Sequence, residues 1–89
     1  MNSEWVDKIQ TELSEEYNIP CGTEKSLIEV FLPANRHTLD IVELPKDNFL
    51  ISLNIADESL GLLVETDLYS DVKIENLAEL IAGVYHSYE

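Results

Sequence analysis

Seven residues constrain this chain more than any others: Phe49, Ile51, Leu53 and Ile55 alternate with Leu50, Ser52 and Asn54. Successive strand side chains point to opposite faces, so this alternation predicts a half-buried β-strand. One strand cannot stand alone, and the neighbouring sequence supplies partners. From Leu27 to Leu32, Ile28, Val30 and Leu32 face one way, and Leu27, Glu29 and Phe31 the other. Thr38 to Leu44 predicts a second strand. Leu60 to Glu65 predicts a fourth, with Leu60, Leu62 and Val64 opposite Gly61, Leu63 and Glu65. Turn-forming clusters separate them at Pro33-Ala34-Asn35-Arg36, Pro45-Lys46-Asp47-Asn48 and Ala56-Asp57-Glu58-Ser59. Such short turns favour antiparallel neighbours and hence a meander. Cys21-Gly22-Thr23-Glu24-Lys25 reads as a loop.

A helical period flanks the strands on both sides. Val6, Ile9, Leu13 and Tyr17 recur every three or four residues, with Trp5 at the edge of the stripe. This predicts a helix from Ser3 to Tyr17, capped by Ser3 or Asn2 and ended by Asn18-Ile19-Pro20. Near the C-terminus, Ile74, Leu77, Ala78, Ile81, Val84, Tyr85 and Tyr88 share one face of a helix that begins between Asp71 and Glu75 and reaches His86. Both stripes must be buried, and one sheet face is available for them. The expected fold is therefore α+β, in the order α-β-β-β-β-α. It is a four-stranded antiparallel meander with both helices on one face, and residues 1–89 form one domain.

Charge narrows the function. Eighteen Asp and Glu stand against five Lys and Arg, a formal net charge of -13. Binding to nucleic acid or anionic lipid draws on Lys and Arg, so direct contact with DNA, RNA or a membrane surface is not expected. The same field attracts basic proteins and speeds encounter with them. Cys21 is the only cysteine, which excludes an internal disulfide and suits a reducing compartment. Met1-Asn2-Ser3-Glu4-Trp5 lacks the basic-then-apolar pattern of a signal peptide, and no apolar run approaches the length of a membrane span. A cytoplasmic location is the expectation.

The chain lacks the usual marks of catalysis. Its three glycines are isolated at 22, 61 and 83, so there is no phosphate-cradling loop. No Cys or His pair has zinc spacing, and the acidic group Asp67, Asp71 and Glu75, like Asp57 with Glu58, lacks calcium-loop spacing. His37 and His86 lie far apart with no orienting pattern. Cys21 has acidic rather than basic surroundings, which disfavours a thiolate. We therefore expect no enzyme activity, no cofactor and no metal.

Two surfaces remain as candidates. Glu4, Asp7, Glu12 and Glu15 project away from the first helix's apolar stripe along about 16 Å of axis, with Lys8 able to pair with Glu4. Glu75 and Glu79 continue this acidic face on the second helix, and the row could imitate a phosphate backbone. Leu27, Phe31, Leu50 and Leu63 should lie on the sheet face away from the helices, joined by Val42 and Leu44, with Glu29, Asp40 and Glu65 among them. More than scattered surface apolars, such a group marks an interaction face. The first expectation is a small inhibitor or immunity-type protein whose acidic face occupies the basic site of a nuclease, toxin or nucleic-acid-binding protein. The alternative is a scaffold that forms a homodimer through the apolar sheet face. In architecture and charge the chain resembles small acidic α+β chaperones of bacterial secretion systems, which implies a dimer with an apolar groove.

Overall fold

A computed structural model describes residues 4–34, 36–57 and 59–89. Among the described residues it is an α+β fold with five antiparallel strands between two helices. Helix α1 (Glu4–Glu16) is followed by β1 (Cys21–Glu24), β2 (Leu27–Phe31), β3 (His37–Leu44), β4 (Asn48–Asp57), β5 (Leu62–Val72) and helix α2 (Ile74–Ser87). The strands lie in the order β1-β2-β3-β4-β5, so the chain is a meander throughout. The expected N-cap at Ser3 or Asn2 lies outside the described residues, and so do Asn35 and Glu58 of two expected turns.

The sheet differs from expectation in two ways. The first is a strand count of five rather than four. Cys21–Glu24, expected as a loop, pairs antiparallel with β2, from Cys21↔Val30 to Glu24↔Leu27. Its side chains are half-buried or exposed, so backbone pairing rather than a buried apolar face makes it a strand. The second is the length of the last strand. It begins at Leu62, leaving Leu60 in the preceding turn, and continues to Val72 rather than ending at Glu65. Irregular register against β4 between Ser52 and Phe49 breaks the alternation there, which hides the strand from a period-2 search.

Both helices lie on one face, as their stripes require. Trp5, Val6, Ile9 and Leu13 of α1 and Leu77, Ala78, Ile81 and Ala82 of α2 are buried. They meet Ile28 and Val30 of β2, Leu39 and Ile41 of β3, and Phe49, Ile51 and Leu53 of β4 in one core. The register aligns these side chains in rows: Ile28↔Ile41↔Ile51 and Val30↔Leu39↔Leu53. Trp5 sits within the core rather than at its edge, with its ring centroid 4.9 Å from that of Phe49. Past α1, Asn18 takes a left-handed conformation (φ 57) and the N–H of Ile19 donates to the carbonyl of Leu13 at 2.8 Å. This reversal turns the fully buried Ile19 back under the helix.

Coverage of the sheet is uneven. Helices are 10–12 Å across with side chains and strands lie about 4.8 Å apart, so two adjacent helices roof roughly four strands. The fifth strand lies beyond them. From Leu62 to Asp71 every residue of β5 is exposed, and only Val72 at its end is buried.

Candidate functional site

Three surfaces follow from this architecture. The acidic helix face is present as a surface. Glu4, Asp7 and Glu15 of α1 and Glu75 and Glu79 of α2 are exposed, while Glu12 is half-exposed. Lys8 pairs with Glu12, one turn onward, in place of the expected Glu4. The pair is surface-exposed, so it contributes at most about 1 kcal/mol.

The sheet face opposite the helices gathers the four apolar residues singled out in sequence. Leu27, Val42 and Leu50 form a half-buried row across β2, β3 and β4. Phe31 is 57% exposed at one end of the next row but one, and Leu63 is 68% exposed on β5. Between these apolar margins lies a polar centre. Glu29, Asp40, Ser52 and Asp67 stand side by side across four strands, and Thr38, Asn54 and Glu65 follow in the neighbouring row. Ser52 Oγ donates to Asp67 Oδ1 at 3.0 Å, and Asn54 Nδ2 donates to Asp40 Oδ2 at 2.7 Å. Sequence reading placed Glu29, Asp40 and Glu65 on this face. It also put Ser52 and Asn54 on the face of Leu50, and it missed Asp67, which lies beyond the expected end of the last strand.

The third surface is the outer edge of the sheet. β5 is paired on one side only, by β4, and so ends the strand order. Leu62, Leu63, Val64, Leu68 and Tyr69 are all exposed along it, and Leu60 precedes them in the turn. An edge strand of this kind presents unpaired backbone N–H and C=O groups beside apolar side chains, which is a template for another strand. The irregular register near Leu68 and Ser70 blunts its second half, while Leu62 to Thr66 pairs regularly with Asp57 to Leu53.

The remaining titratable groups are dispersed. His86 Nδ1 lies 2.7 Å from Glu89 Oε1 at the C-terminal end of α2, and His37 packs its ring 5.3 Å from that of Tyr88. Cys21 is half-buried at the edge of the core, and this burial pushes its thiol pKa up, away from the nucleophilic thiolate. Among the described residues no group of three or more His, Cys, Asp or Glu is placed to hold a metal ion. No described helix is long and apolar enough to cross a membrane. An open groove of about 650 Å³ lies where the N-termini of the two helices approach β4, lined by Trp5, Phe49 and a mixture of carboxylates with Lys8 and Lys73. No protein-family model, curated protein or solved structure matches the chain.

Proposed function

We propose that this chain is a non-catalytic binding module that captures a basic partner protein, in the manner of an inhibitor or immunity protein. Its working surface is the β5 side of the sheet, with the acidic helices steering the encounter. The observation that carries this reading is the exposed apolar run Leu62, Leu63 and Val64 at the start of the edge strand, with Leu68 and Tyr69 exposed beyond Glu65 and Asp67. Edge strands are normally protected by charge, brevity or cover, and the regularly paired Leu62–Val64 stretch carries no charge of its own, which suits it to strand addition by a partner. The net charge of -13 sets the sign of that partner, and its long-range field raises the association rate with a basic surface. A nuclease, a toxin or another nucleic-acid-binding protein offers such a surface.

The same edge serves a second reading, a scaffold or chaperone-like homodimer. Two copies would bring two strongly acidic surfaces together, which opposes self-association. The test is solution mass by light scattering at low and high salt, combined with partner capture by the wild-type chain and by a Leu62→Ser/Leu63→Ser variant. The expected result is a monomer at both salts, with capture that weakens as salt rises and is lost in the variant. A salt-resistant dimer that the two substitutions dissociate would replace this reading with the scaffold.

A further inference from the structure

We infer that the polar centre of the open sheet face is a receptor for an arginine side chain of the partner, with Asp40 and Asn54 as its acceptors. The inference rests on the proposed capture of a basic protein and names the group by which that protein is held.

Acceptors are left over after the local hydrogen bonds are made. Asp40 Oδ2 accepts from Asn54, and Asp67 Oδ1 accepts from Ser52. Asp40 Oδ1 and Asn54 Oδ1 are buried and have no hydrogen-bond partner among the described residues. Asn54 is only 6% exposed, although it lies on the face that no helix covers. Buried polar atoms are normally paired, so two orphans on adjoining residues require an explanation. Both are acceptors, and what they lack is a donor.

The surrounding charge defines the donor. Glu29 stands directly opposite Asp40 across the β2–β3 pair, an arrangement of like charges that destabilises a sheet. Asp67 and Glu65 stand opposite Ser52 and Asn54 on the other side. None of the strand positions on this face from β2 to β5 is Lys, Arg or His. Four carboxylates and two orphan acceptors thus converge without a cation from the strands that carry them. A guanidinium offers five N–H donors in a planar fork and no acceptor, which matches two acceptors on neighbouring side chains. An ammonium is a point charge and reproduces the fork less well. The margins suit the rest of an arginine: Leu27, Val42 and Leu50 can take its methylene stem, and the exposed Phe31 ring can lie against the guanidinium. Asp40 is only half-buried, and Phe31 and Glu65 on the same face are exposed, so the pair lies next to solvent.

The experiment is an NMR titration of the isotope-labelled full chain with N-acetyl-arginine amide and, separately, N-acetyl-lysine amide. The arginine derivative is expected to shift the Asn54 side-chain amide and the backbone amides of Asp40, Ser52 and Asp67 saturably. Half-saturation should fall at a concentration about tenfold below that of the lysine derivative. Asp40→Asn should weaken the arginine derivative about tenfold by removing the charge-assisted bond. Glu16→Gln, exposed at the end of α1 and outside the acidic row, should change nothing. Equal responses to both derivatives, or shifts spread evenly over the helix carboxylates, would overturn the site. Should Asp40→Asn lose the wild-type spectrum, Asp67→Asn takes its place, with an expected weakening of about threefold. Partner capture separates this inference from the reading beneath it. If Asp40→Asn captures as well as wild type while Leu62→Ser/Leu63→Ser does not, the arginine receptor falls and the module stands. If the edge variant captures normally, the edge reading falls, and the titration alone decides the receptor.

Discussion

β4 and β5 are neighbours in one sheet, pair over most of their lengths, and carry similar apolar side chains. Their environments are opposite. β4 buries Phe49, Ile51, Ser52, Leu53 and Asn54, whereas β5 buries only Val72. The difference is not one of hydrophobicity, because Leu62 and Val64, on the helix-facing side of β5, are as apolar as the residues of β4 that are buried. It is one of width: two helices cover about four strands, and the fifth lies outside their reach. A strand under the helices is held by packing, while a strand beyond them is held by its ladder and leaves its side chains for something else. In this chain the same residue types build the core on one strand and an interaction surface on the next.

The sharpest way to break this comparison is to truncate one aliphatic side chain on each strand. Ile51→Ala removes a fully buried side chain from the centre of the core and is expected to cost about 2–5 kcal/mol. Val64→Ala, on the helix-facing side of the next strand, is expected to change stability by no more than about 0.5 kcal/mol. Urea denaturation of the two variants measures both. A cost at Val64 approaching that at Ile51 would mean that β5 is covered in solution, by a second copy or by another part of the chain.

The same contrast explains what could be read in advance. The alternation of Ile28 and Val30, the run from Phe49 to Ile55 and the two helical stripes all record burial under helices, and the structure puts those residues in the core. Sequence pattern fails where burial is absent. Cys21–Glu24 has no apolar side to betray it, and its pairing with β2 is made by backbone groups that every residue carries. Beyond Asp67, irregular pairing shifts the phase of β5, so Leu68 and Tyr69 stand next to each other where alternation expects one apolar residue. The acidic helix residues were legible because helical spacing places them opposite a strong stripe. The polar centre was legible only in part, since Asp40 and Asn54 meet through a diagonal cross-strand contact that belongs to the register of two strands.

A smaller effect is expected on the open face, where burial is lateral and no helix contributes. Asn54→Ala removes the donor to Asp40 Oδ2 and leaves that carboxylate with one fewer bond. The expected loss is about 1–2 kcal/mol, well short of Ile51→Ala. Asn54→Ala in an Asp40→Ala background should cost little more than Asp40→Ala alone, because the two share one interaction; a double-mutant cycle reads the coupling directly. Strictly additive costs would show that the hydrogen bond contributes nothing and that Asn54 is buried for its shape alone.

The smallest effect compares the two edges of the sheet. β1 is the edge beside α1, and Cys21 there packs against the core, whereas Leu63 on β5 packs against nothing comparable. Burial pushes the Cys21 thiol above its ordinary pKa by disfavouring the thiolate. A raised native pKa means that the folded chain holds the proton more tightly than the unfolded chain. The associated stability is fully present below the ordinary thiol range and is lost as pH rises through the native value. Iodoacetamide alkylation reads the same shift without unfolding the protein. In the wild-type chain its rate should rise only at a pH above that of a free thiol. In a Cys21→Ser/Leu63→Cys variant, the single thiol now on the uncovered edge should react with the onset of a free one. Matching profiles would mean that the β1 edge is as open as the β5 edge, and that the helices roof only the middle of the sheet rather than leaning toward one side of it.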